Sequence, residues 1–295
     1  MKKIVSVYAA LAAMTVSAFA ADLPMKAAAP QPDPTPLFSG YIGVWAEATR
    51  TTESGDRERP GGWGADARLN YWLNPAWSFQ FDAEADQVNH DGSVSDNPRR
   101  EALVVGHWAW RDPRVGSAGI FGGWVYPNNN NGGERRNMGL IGIEGQRYYD
   151  MLTLYGQGGY LAQFSKSSTV DQATDIWFGR FAPRYFVTPN DRLSAEVGYA
   201  RGVMGDDTSD KIRIWNWAAT YEHKFNMSPV SAFIQYAGGD VKSSQSPNQR
   251  TREHTFVAGL RWYFNQGTLQ ANDRTGATYD TPGFIRYLPF VGIAD

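Results

Sequence analysis

The sequence predicts an all-β protein: a transmembrane antiparallel up-and-down β-barrel of about 12 strands. Three observations predict it. Glycine (31) and aromatic residues (15 Phe, 11 Trp, 15 Tyr) are both abundant, while the mean hydropathy is −0.46. That pairing suits strands with one oily face and one wet face. From Ser39 to Phe264 the chain repeats segments of about ten residues of alternating character, the length that crosses a bilayer when tilted. The breaks between segments alternate in kind. Asn74-Pro75, Asp112-Pro113-Arg114, Pro189-Asn190 and Met227-Ser228 are very short, whereas 50–61, 89–100, 127–136, 165–173, 204–210 and 241–251 are longer and polar. Short turns at one rim and longer loops at the other are the organisation of outer-membrane barrels, with the turns in the periplasm.

The N-terminus reads as an address. Met1-Lys2-Lys3 is basic, Ile4 to Phe19 is largely apolar, and Ala18-Phe19-Ala20 places small residues where a signal peptidase reads. Residues 1–20 are therefore expected to direct export, with cleavage near Ala20. The apolar run is short for a spanning helix, which needs about 20 residues. Residues 21–38, with Pro24, Pro30, Pro32, Pro34 and Pro36 among alanines, read as an extended Ala/Pro-rich periplasmic leader. No later stretch is apolar long enough for a membrane helix, so a membrane location requires a closed barrel.

The segments justify the barrel one by one. In 62–73, Trp63, Ala65, Ala67, Leu69, Tyr71 and Leu73 share one face, and Asp66, Arg68 and Asn70 the other. In 76–88, Trp77, Phe79, Phe81, Ala83 and Ala85 oppose Ser78, Gln80, Asp82, Glu84 and Asp86. In the last segment, Phe256, Ala258, Leu260, Trp262 and Phe264 oppose Thr255, Gly259, Arg261 and Tyr263. The oily faces carry no charge, as lipid demands: an exposed Arg or Lys at the midplane costs about 2–4 kcal/mol. Aromatics collect at segment ends, and Trp63, Trp77, Trp215, Trp217, Trp262 and Phe264 are expected to form girdles at headgroup level. Pro183 interrupts segment 174–187 and predicts a bulge there, because a closed barrel has no edge to shelter a proline.

Composition excludes several classes. Lys plus Arg (28) and Asp plus Glu (30) nearly balance, so the basic surface of a nucleic-acid binder is missing. Absence of cysteine removes disulfides, thiol catalysis, cysteine metal sites and a lipoprotein anchor. The histidines His90, His107, His223 and His254 show no His-x-Ser or Asp-x-His arrangement. Catalysis needs a base within reach of a nucleophile, so neither an enzyme nor a metal or other cofactor is expected.

Two places resemble a known group. Ala21-Asp22-Leu23-Pro24, followed by an Ala/Pro tether and Ser39-Gly40-Tyr41-Ile42-Gly43, is similar to the mature start of small porin-like outer-membrane proteins of alphaproteobacteria. Phe256 to Phe264 resembles the closing strand that the barrel-assembly machinery reads during biogenesis. The resemblance implies the outer membrane of a Gram-negative bacterium, with contact to outer-membrane lipid and lipopolysaccharide. This chain departs from the group in two ways. Familiar short members look eight-stranded, and they normally stop at the terminal Phe, whereas this one runs on to Asp295.

Parity assigns an inner face. Twelve strands give a backbone diameter of roughly 24 Å, leaving a lumen for small hydrophilic solutes. Its acids are Glu47, Asp66, Asp82, Glu84, Asp86, Glu144, Glu196 and Glu222, and its bases Arg68, Arg180, Arg184, Lys224 and Arg261. The excess of acids predicts a mild cation bias in passive diffusion. If Leu73 opposes Trp77, Arg68 faces Asp82 and Asp66 faces Glu84. Trp45, Trp72, Tyr155 and Phe233 also point inward and narrow the bore. The alternative is a closed structural or interaction barrel. Residues 265–295, read as a periplasmic C-terminal tail, decide between the two. Their sticky half, with Phe284, Ile285, Tyr287, Leu288, Phe290 and Val291, could plug the lumen, bind a partner or lie on the membrane.

Overall fold

The computed structural model describes residues 36–53, 56–89, 99–128, 137–164, 173–204, 207–244 and 250–290. The export signal, its cleavage point near Ala20, leader residues up to 35, and His90 lie outside the described residues. Alternating side chains build the strands β1 (Phe38–Glu53), β2 (Asp56–Glu58), β3 (Gly61–Asn74), β4 (Trp77–Asn89), β5 (Arg99–Asp112), β6 (Gly116–Asn128) and β7 (Met138–Tyr149). They continue with β8 (Leu152–Gln163), β9 (Ala173–Thr188), β10 (Asp191–Met204), β11 (Asp207–Lys224), β12 (Val230–Ser243) and β13 (Arg250–Phe264). β2 is a short hairpin extension on β1, pairing Thr51 to Glu58 through Glu53 to Asp56.

Each long strand pairs antiparallel with the next, and β13 pairs with β1 from Gly40↔Phe264 to Glu53↔Thr251. Omitting β2, the result is a closed 12-strand antiparallel barrel. Closure removes the edges that would leave backbone groups unpaired in hydrocarbon.

The two skins differ as the alternation requires. Ile42, Val44, Phe79, Phe81, Ile120, Ile141, Ile143, Phe181, Ile234, Phe256 and Leu260 are exposed on the outside, and Ile143 is 68% exposed. In a soluble protein so much exposed oil would be an aggregation liability; around a barrel it is the lipid contact. Trp77, Trp262 and Phe264 lie at the rim of tight turns, where Phe264 stacks on Phe38 with centroids 5.3 Å apart. Trp63 lies toward the opposite, loop rim, whereas Trp215 and Trp217 lie near the middle of β11 and not at a strand end, where a girdle is expected.

The register between β3 and β4 sets Arg68 against Asp82 and Asp66 against Glu84. At the turn itself Trp77 pairs with Asn74 across an irregularity, not with Leu73. The bulge expected at Pro183 does not form. β9 and β10 hold one register from Ser194↔Arg184 to Val197↔Phe181 and skip the positions between, while register shifts fall near both ends of the pairing. A proline lacks one ladder donor, and the barrel omits that bond without inserting a residue.

The largest departure concerns the C-terminus. Residues 265–288 do not hang from the turn rim as a tail. They turn back into the barrel through helix α1 (Leu269–Thr275) and end in a 3-10 turn at Ile285–Phe290. The physical reason lies in the wall. Toward the loop rim its inner face is apolar, with Leu103, Val105, Phe121, Val125, Met138, Leu140, Leu161, Ile176, Phe178, Ile212, Ile214 and Val241 all buried. Without the segment these would face water, and the apolar residues near the C-terminus would too.

Candidate functional site

The candidate site is the bore together with the segment that runs through it. The reversal begins at Asn265, whose φ is +57° and whose side-chain amide donates to the Phe38 carbonyl at 2.9 Å. Lys224 donates to the Gly267 carbonyl at 3.0 Å. Thr268 caps α1, its hydroxyl accepting from the Ala271 amide at 3.0 Å. The helix is tied to the turn rim. Arg274 donates to the carbonyls of Tyr149 and Asp150, and Gln270 donates to that of Asp150. Leu269 is buried among Tyr41, Phe186 and Tyr263.

Above α1 the bore is a charged layer into which the chain fits residue by residue. Gln80 reads the backbone of the segment. Its oxygen accepts from the amides of Thr278 (2.8 Å) and Tyr279 (3.1 Å), and its nitrogen donates to the Tyr279 carbonyl (2.8 Å). The Tyr279 ring stacks on His107 at 5.4 Å, and the Arg111 guanidinium lies 4.9 Å from its centroid. Arg111 also donates to the Gly276 carbonyl at 2.7 Å. Asp273 accepts from Thr153 and Arg184, both at 2.6 Å. Asp280 sits among three arginines: Arg68 at 2.5 Å, Arg184 at 2.6 Å and Arg180 at 3.0 Å. Arg286 reaches the other wall, bridging Glu47 (3.0 Å) and Glu253 (3.1 Å). Nearer the loop rim Phe284 packs on Phe178 at 4.8 Å. Tyr287 occupies the space left by Gly239, where an added Cβ would meet its ring at 2.4 Å.

The inner-face residues expected from parity all line the bore, with differing surroundings. Asp82 is turned away from open space toward Gln80 (2.6 Å), His107 (3.5 Å) and Arg68 (3.6 Å). Arg261 bridges Glu222 at 2.8 Å and Asp66 at 3.7 Å. Arg180 pairs with Glu196 at 2.8 Å. Glu84 accepts from Thr281 of the C-terminal segment at 3.1 Å. Beside that segment a cavity of about 210 Å³ remains, lined by acids that include Asp66, Glu84 and Asp86 and by bases that include Arg192 and Arg261. Trp45 and Phe233 border it, and Trp72 instead donates to the Thr275 carbonyl at 2.7 Å.

Sequence reasoning passed over several contributors. His107 and Arg111 share the inner parity of β5 with Leu103 and Val105, so the period-2 rule was enough to find them. Arg192 pairs with Glu222 at 2.6 Å near a register shift, where parity is unreliable. Asp273, Asp280 and Arg286 lie in a stretch with no strand period, and nothing local marks them as bore residues.

No protein-family model matches the chain, and no curated protein matches it in sequence. Solved structures do match. An outer-membrane channel from Pseudomonas putida F1 is similar with a TM-score of 0.60 at 14% identity, over 81% of this chain and 100% of that one. The KdgM porin in complex with disordered oligogalacturonate aligns with a TM-score of 0.44 at 11% identity, over 75% of this chain and 99% of the other. The β domain of the Bordetella autotransporter BrkA aligns at 0.46 and 12% identity, over 77% and 100%. At such identities the likeness to the Pseudomonas channel is one of fold: this chain has the closed β-barrel fold of outer-membrane proteins.

Proposed function

We propose that this chain is an outer-membrane channel of a Gram-negative bacterium, passing small hydrophilic solutes by diffusion through a bore that its own C-terminal segment narrows. The reading includes export with cleavage near Ala20, assembly by the barrel machinery, contact with lipopolysaccharide and kinship with the porin-like proteins of alphaproteobacteria. It assigns no catalytic step. The observation that carries it is the cavity of about 210 Å³ lined by charged side chains inside a lipid-facing barrel.

The proposed cation bias is assigned to Asp66, Glu84 and Asp86, which line that cavity together with six arginines; anionic wall groups favour positive solutes. Asp82 is engaged in the wall and contributes little to it. Liposomes carrying the purified chain test the reading: swelling in small sugars and a cation-directed reversal potential in a salt gradient are expected. Glu84→Gln with Asp86→Asn should reduce that potential. Absence of both swelling and current would reject the channel. The extent of packing around the C-terminal segment would then favour the closed structural barrel.

A further inference from the structure

We infer that Arg68, Arg180 and Arg184 form a binding site in the barrel wall for small carboxylate-bearing solutes, and that Asp280 occupies it as an internal stand-in. The inference deepens the channel reading by naming a solute class, and it rests on that reading for its physiological role. The carboxylate of Asp280 has one oxygen on Arg68 and the other shared by Arg180 and Arg184. Each guanidinium gives one charge-assisted N–H contact, and together the three cover both carboxylate oxygens.

Arg68 and Arg180 are anchored by carboxylates of the wall, and Arg184 by Asp273 (2.6 Å) of the C-terminal segment. Arg68 is held by Asp82 on the adjacent strand at 3.6 Å and Arg180 by Glu196 at 2.8 Å. Arg180 and Arg184 both lie over the Tyr155 ring, 5.4 Å and 4.9 Å from its centroid. If Asp280 withdraws, each guanidinium keeps one carboxylate, Asp82, Glu196 and Asp273 for Arg68, Arg180 and Arg184 respectively, but the N–H groups aimed at the Asp280 oxygens lose that acceptor, and a buried donor left unsatisfied is costly. A soluble carboxylate supplies the missing charge and the same oxygens. Access exists already. All three arginines and Asp280 border the cavity, and the Asp280 side chain is 24% exposed, against 3% for Arg184. The occupant is thus the more accessible member of the cluster, on a segment whose covalent link to the barrel is at Phe264. While Asp280 occupies the cluster it keeps soluble anions out, so the arginines act on solutes only after it withdraws.

Calorimetric titration of the full chain in detergent with succinate tests the site. The unaltered chain should bind weakly. Asp280→Ala should bind at least tenfold more tightly, and should not bind succinamide, which is neutral. Adding Arg180→Gln and Arg184→Gln to Asp280→Ala should abolish the gain. If that triple variant fails to fold, Asp280→Ala with Arg68→Gln is expected to lose most of it. Equal succinate affinity of the unaltered and Asp280→Ala chains would overturn the inference, as would affinity that survives the arginine replacements. Titration is independent of transport. A chain that binds succinate but passes no current would refute the channel and leave the site, and a conducting chain whose succinate affinity ignores Asp280 would do the reverse.

Discussion

The C-terminal segment meets two different environments within one bore. Toward the loop rim Phe284, Ile285, Tyr287 and Leu288 press into an apolar wall. In the middle and toward the turn rim Asp273, Thr278, Tyr279 and Asp280 are held by named donors and acceptors. The apolar half supplies non-directional attraction in proportion to area; the polar half fixes which residue sits where, because each misplaced group would lose its partner in a low-dielectric space. One end holds the segment in, and the other sets its register.

Replacements graded by size separate these contributions, with undocking of residues 268–288 read by protease sensitivity or amide exchange. Arg184→Ala should have the largest effect. It deprives Asp273 and Asp280 of a shared cation, and breaking a buried pair costs about 3–5 kcal/mol. Phe284→Ala removes the ring on Phe178 and leaves a cavity in the apolar half, a loss of about 3 kcal/mol. Gln80→Leu cancels three hydrogen bonds to the segment's backbone; about 2 kcal/mol is expected, visible as faster exchange of the Thr278 and Tyr279 amides. Thr268→Ala removes the cap of α1 and should cost about 1 kcal/mol, confined to exchange in the first turn. If neither Arg184→Ala nor Phe284→Ala loosened the segment more than Thr268→Ala, the division of labour between the halves would be wrong.

Legibility from sequence followed the same division. Strands β3, β4 and β13 were readable because lipid outside and water inside impose a strict period of two. That rule placed Asp66, Arg68, Glu84, Arg184 and Arg261 on the inner face, and the short turn between β3 and β4 fixed Arg68 against Asp82. Residues 265–290 obey no such rule. Their apolar content announced burial, but the choice among plug, partner and membrane depended on an apolar patch assembled from eight strands, β5 to β12. Leu103, Ile176 and Ile212 face inward there, where a water-filled channel would carry polar groups. An inward apolar residue on a barrel strand is thus the sequence signal for an occupant. The Pro183 expectation erred in treating a missing donor as a demand for an extra residue.

The central claim is that residues 265–290 fill most of the bore. Single-channel recording of the full chain beside a chain ending at Phe264, in the same planar bilayer, tests it most directly. The account expects a several-fold larger conductance once the segment is gone. Equal conductance from the two chains would place the segment outside the conducting path and contradict the account.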